Sequence, residues 1–154
     1  MRASARADDQ RARLPDQMAV RRPSEPEFVS FCESCRSSGG IVGGDDLARL
    51  LEDRHIGDFV SLGRCIASGE VFGFEWRGCT WVPMFQFEPI DLSIRSVLVP
   101  VISAFGRGLD GWALAAWFTR PNDLLNKLRP VDVLDSNPSG VLNAARADRL
   151  SVTS

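Results

Sequence analysis

The chain has 154 residues, enough for one domain or two small ones. It is 44% hydrophobic and 25% charged, the balance of a soluble globular protein, and a net charge of −2 excludes a uniformly basic nucleic-acid binder. No apolar run approaches the roughly 20 residues of a membrane helix. The N-terminus lacks the apolar core of a secretory signal, so a cytoplasmic protein without a membrane partner is expected.

Met1 to Pro23 mixes Arg, Asp, Ala and Gln with little periodicity and reads as a disordered tail; its arginines offer the sharper reading of an arm that touches DNA or a partner. Order begins at Ser24, which with Glu27 forms a capping-box pattern. Phe28, Phe31, Cys32 and Cys35 then recur on one helical face, and Gly39-Gly40 stops the helix. This placement makes Cys32-x-x-Cys35 a pair of small core hydrophobes rather than a zinc or redox motif, and the spacing to Cys65 and Cys79 fits no standard zinc module.

A second helix is predicted from Asp45 to Arg54, and a third from its cap Asp58 to Ser68, with Phe59, Leu62, Cys65 and Ile66 inward. The turn at His55-Ile56-Gly57 makes the pair a helix-turn-helix candidate. Val71 to Met84 reads as a β-hairpin, with Phe72, Phe74 and Trp76 alternating on one face and Arg77-Gly78 at the turn. Helix-turn-helix followed by a hairpin is the plan of a winged helix. If it binds DNA, Ser61 and Arg64 on the third helix and Arg77 at the wing tip are the candidate contacts. That set is thin, and Asp45 to Asp58 holds five acidic residues against two Arg, so a scaffold or dimer platform is the favoured reading.

The second half is predicted all-helical. A long helix spans Asp91 to Phe105, kinked or divided at Pro100. Asp110 caps a helix carrying Trp112, Leu114, Trp117 and Phe118, and Pro121 ends it. Asn122 caps a short Leu-rich turn, Pro130 opens another helix, and Asn137-Pro138 starts the last, which runs to Leu150 before a polar tail at Ser151 to Ser154.

Trp112 to Trp117, Pro121-Asn122, Leu124-Leu125, Pro130 to Leu134 and Val141 to Leu150 together resemble the toxin-binding domain of the Xre/MbcA/ParS antitoxin family. Pro83-Met-Phe-Gln-Phe87 is similar to the junction that precedes such domains. Where the family usually has Gly after the second Leu, Asn126 stands here, the next-best residue for a left-handed cap. The chain thus reads as an α+β, mostly α protein, with a tail at 1–23, a winged-helix-like domain at 24–88 and a helical domain at 89–154 that is toxin-binding by the resemblance. The resemblance also implies an antitoxin of a bacterial type II toxin–antitoxin pair. Its partner would be a cognate toxin, commonly a RES-domain enzyme that destroys NAD, bound in a hetero-oligomer or by a homo-oligomer.

By that resemblance Trp112, Trp117, Pro121, Asn122 and Pro130 form the structural core, and Arg146, Asp148, Arg149 and Leu150 contact the toxin. Removing Asp148 to Ser154 is then expected to leave the bundle folded. The alternative is a DNA-binding regulator whose partner is operator DNA. No catalytic set emerges: His55 is the only histidine, no phosphate-binding loop is present, and no cofactor or metal is implied. A binding protein rather than an enzyme is expected.

Overall fold

Ser24 and Glu27 make the capping box reciprocally. The Glu27 amide donates to Ser24 Oγ at 3.3 Å, and the Ser24 amide donates to Glu27 Oε1 at 3.2 Å. They start α1 (Glu25–Cys35) in the computed structural model, which describes residues 22–106 and 108–153. Apart from Arg22 and Pro23, the expected tail lies outside the described residues. Phe28, Phe31 and Cys35 face the core, and Gly39, at φ 106°, turns the chain away.

Next comes β1 (Ile41–Gly43), then α2 (Gly44–Asp53), α3 (Phe59–Ser68), β2 (Phe74–Trp76) and β3 (Cys79–Pro83). The strands form one antiparallel sheet in the order β1-β3-β2, with Val42 opposite Val82 and Phe74 opposite Trp81. The hairpin turn has Arg77 at φ 52° and Gly78 at φ 77°, the paired positive angles of a two-residue turn that matches strand twist. β1 has only three residues, Ile41 and Val42 between two Gly pairs and then Gly43 itself, too short to register as a strand in the sequence.

The remaining helices are α4 (Leu98–Phe105), α5 (Gly111–Thr119), α6 (Pro130–Val133) and α7 (Pro138–Thr153), with a 3-10 turn at Asp123–Leu125. The described chain is thus α+β and mostly helical. None of its described helices is long and apolar enough to cross a membrane.

Three expectations are corrected. The helix expected from Asp91 begins only at Leu98. Asp91 instead accepts from the amide and hydroxyl of Ser93, Leu92 is left-handed at φ 58°, and Ile94 bridges back to Phe87. Side-chain bonds to nearby backbone divert the chain from helix, and Pro100 falls in the first turn of α4, where it is tolerated. Phe59, expected inward, is 64% exposed, because the buried stripe of α3 centres on Leu62. The last helix continues past Leu150 to Thr153.

Two hydrophobic clusters fill the interior. The smaller joins Leu47, Ala48, Leu51, Leu62, Val71, Val82, Phe87 and Leu92. The larger takes Phe28, Phe31, Phe72, Phe74 and Phe85 from before residue 88, and Leu98, Phe105, Trp112, Phe118, Leu134 and Val141 from after it. The halves on either side of that position therefore share one interior.

Between the clusters sits Gln86, a buried polar side chain with no exposed area. Its Oε1 accepts from the Phe72 amide at 2.8 Å, and its Nε2 donates to the Phe72 and Pro83 carbonyls at 2.9 and 3.0 Å. The amide stands in for a strand, pairing with one residue that lies outside the ladder.

Helix α5 docks on the hairpin with almost no clearance. A Cβ built on Gly111 would lie 1.8 Å from the Gly73 carbonyl oxygen. Neither partner is a side chain that can swing aside. Gly111→Ala is therefore expected to destabilise by about 3 kcal/mol or more, by overpacking. Urea denaturation checks this, and a midpoint equal to that of the unaltered chain would show that the two backbones can separate freely.

Candidate functional site

Asp110 opens α5, its carboxylate accepting from the Ala113 amide at 2.8 Å. The helix is apolar nearly all round because it lies between the hairpin and the C-terminal elements. Trp112 is 3% exposed and meets Phe31 and Phe74 edge-on at 5.3 and 5.0 Å. Trp117 lies edge-on to Phe105 and Phe118, both at 5.0 Å.

The polar edge of Trp117 finds one partner: its Nε1 donates to Asp148 Oδ2 at 2.7 Å. Asn122 Nδ2 donates to the same oxygen at 3.0 Å. Asn122 organises its own loop as well. Its Oδ1 accepts from the Leu124 amide at 2.9 Å, and its carbonyl accepts from the Leu125 and Lys127 amides at 3.0 and 2.9 Å. Asn126 takes the left-handed position at φ 57°. Trp117, Asn122 and Asp148 thus meet at one half-buried node that fixes α7 against α5 and the Leu-rich turn. Two donors on one carboxylate oxygen make charge-assisted bonds, stronger than neutral ones.

The node divides the residues expected to contact a partner. Val141, Ala144 and Ala145 are buried, and Asp148 continues that inward stripe of α7. Ser139, Asn143, Arg146 and Leu150 lie on the opposite, exposed stripe, with Leu150 70% exposed. Arg149 is exposed beside Gly106. Arg146 and Leu150 are brought together, whereas Asp148 is an anchor. The cut of Asp148 to Ser154, expected to leave the bundle folded, would take this anchor with it.

Pro121 is exposed at the end of α5, while Pro130 is buried at the start of α6. The residue before it, Arg129, was not singled out by sequence reasoning. It donates Nη1 to the Ser34 carbonyl at 2.8 Å, and Nε and Nη2 to the two Asp132 oxygens at 2.7 and 2.9 Å. These bonds to Asp132 hold its pKa above the ordinary arginine value. The Arg-x-x-Asp spacing was the available signal, though nothing in it pointed to Ser34. Arg95 plays a similar part, donating to Asp135 and, at 3.1 Å, to the Phe85 carbonyl.

The three residues expected to contact DNA are not assembled into a basic face. Ser61 Oγ accepts from the Asp58 amide at 2.8 Å, and the Ser61 amide donates to Asp58 Oδ1 at 2.8 Å, so the serine serves the α3 cap. That backbone bond holds the Asp58 carboxyl below its usual range. Arg64 is exposed on α3. Arg77 donates to Glu25 at 3.1 Å and lies 4.4 Å over the Trp76 ring, which itself stacks on Phe28 at 3.8 Å. With Arg22 on Glu75 at 3.3 Å, the hairpin is tied back to the start of α1.

Burial pushes the Cys35 thiol up to about 12 and raises Cys32 and Cys65 as well, so all three stay protonated at neutral pH. Among the described residues no group of three or more His, Cys, Asp or Glu is placed to hold a metal ion. In comparisons with protein-family models, curated proteins and solved structures, no match was found.

Two measurements follow. In a double-mutant cycle of Trp117→Phe with Asp148→Ala, a coupling of about 1.5–3 kcal/mol is expected for a hydrogen bond to a charged group; additive losses would mean that the Trp117–Asp148 bond carries no energy. In native protein a thiol reagent should label exposed Cys79 first and reach Cys35 only on unfolding. A Cys35 that reacts as fast as Cys79 would show that its side of α1 opens readily.

Proposed function

We propose that this chain is a binding protein of the antitoxin kind, neutralising a partner toxin through the outer stripe of α7. One observation carries the reading. The residues on which the resemblance to the Xre/MbcA/ParS toxin-binding domain rests, the Trp helix, the Pro-Asn break and the last helix, converge on the Trp117–Asn122–Asp148 node. A helix fixed at that point presents Arg146 and Leu150 without having to order itself on binding, which lowers the entropy cost of association. Arg146 supplies a planar donor for carboxylates in a toxin's cleft, and Leu150 an apolar contact beside it. A RES-type NAD-degrading toxin is the partner class that the resemblance implies.

The regulator alternative draws on one feature, the order helix, strand, helix, helix, hairpin with β1 beside β3, which is compatible with a winged-helix plan. Against it stand the acidic balance of α2 and the engagement of Ser61 and Arg77 within the fold. We therefore assign the N-terminal half to a winged-helix-like scaffold.

The test is co-expression with the product of the adjacent gene. The full chain should rescue growth. Arg146→Glu combined with loss of Leu150 to Ser154 keeps Asp148 and should leave the chain soluble and folded while abolishing rescue. A harmless neighbour, or full rescue by the altered chain, overturns the proposal.

A further inference from the structure

The first turn of α3 holds large apolar side chains in water that the C-terminal reading does not use. Phe59 is 64% exposed, Val60 60% and Ile56, just before the helix, 51%. Two cavities flank this turn. One, of about 540 Å³, runs between the start of α2, the hairpin, Phe59 and Leu62. The other, of about 390 Å³, lies between Leu51, Ile56, Leu62 and the loop at Leu92. Leu62 lines both. Exposed apolar side chains beside hollows of this size mark a place where a partner's side chains are buried.

The charge of the surround selects the partner. Residues Gly44 to Ser68 carry Asp45, Asp46, Glu52, Asp53 and Asp58 against Arg49, Arg54 and Arg64. Arg49 lies 3.7 Å from Asp46, and Arg54 donates to the Ile90 carbonyl at 2.8 Å, so two of the three cations already have partners in the fold. Asp45, Asp46 and Arg49 edge the larger cavity, where the Arg49–Asp46 pair leaves Asp45 as the net negative charge, and Asp91 edges the smaller. A nucleic-acid backbone would be repelled here. A second copy docked face to face would set one acidic rim against another. A helix with Lys or Arg on one side and apolar residues on the other satisfies both the hollows and the rim.

We propose that the α2–α3 face docks a basic amphipathic helix of a partner protein, at a surface separate from the end of α7 and independent of the toxin reading. The probe is a fluorescent synthetic helix of Leu and Lys at amphipathic spacing, titrated against the full chain by anisotropy. Its comparison probes are the same helix with Glu for Lys, and duplex DNA. Saturable binding of the basic helix is expected. It should weaken roughly tenfold in Phe59→Ser/Val60→Ser, as for the loss of central apolar anchors, and severalfold in Asp45→Asn/Asp46→Asn, while Arg146→Glu leaves it unchanged. Circular dichroism verifies that each variant is folded, and the Asp variants keep the test decisive if the Ser variant is not. Absence of saturable binding, equal affinity of the Asp variants, or preference for the acidic helix or DNA would overturn the proposal. So would a dimer of the chain that Phe59→Ser/Val60→Ser dissolves, since the face would then be occupied by a second copy.

Discussion

The buried amide of Gln86 is the constraint from which the rest of the chain takes its position. Removed wholly from water, it can be tolerated only because Phe72 and Pro83 satisfy it with three bonds. Those bonds fix the segment entering β2 against the turn leaving β3. On either side of Gln86 stand Phe85, in the larger cluster, and Phe87, in the smaller. Phe72 and Phe85 then pack on Phe118 at 5.8 and 5.3 Å, which sets α5. From α5 the line runs through Trp117 to Asp148 and so to α7. The exposed stripe of the last helix is therefore positioned, step by step, by a polar group at the centre of the molecule.

Much of this was legible from local chemistry. The Ser24 and Asp110 caps, the Arg77-Gly78 turn, the left-handed Asn126 and the Asn137 cap all depend on residues a few positions apart, and each forms as its sequence predicts. The apolar stripe through Phe28, Phe31 and Cys35 was equally readable, because its helical period is unbroken. Asp91 to Val97 was not. Its hydrophobic spacing suits a helix, but the Asp91–Ser93 turn and the Ile94 bridge to Phe87 prevail over that pattern. Phe59 shows the opposite limit: the period placed it inward, but the buried stripe of α3 centres on Leu62 and leaves Phe59 in water.

The candidate site divides along the same line. That Trp117, Asn122 and the last helix matter was readable from their pattern. That Asp148 serves as their shared acceptor was not, since the bonds span 31 and 26 positions and a carboxylate near the end of a helix looks like a solvated charge. Gln86 was noted as part of a junction, without a reason for a glutamine there; the reason is a bond partner 14 residues earlier. Long-range polar satisfaction is invisible to periodicity, yet it makes Asp148 the residue that anchors α7.

The measurement that bears most directly on the toxin-binding claim is the footprint of the adjacent gene product on this chain, read by hydrogen–deuterium exchange and by carboxyl and guanidinium labelling. Protection of α7 from Asn143 to Leu150, with Arg146 shielded from reagent and Asp148 no more shielded than in the free chain, is the expected result. Protection confined to α2, α3 and the hairpin, with Arg146 as reactive as before, would contradict it.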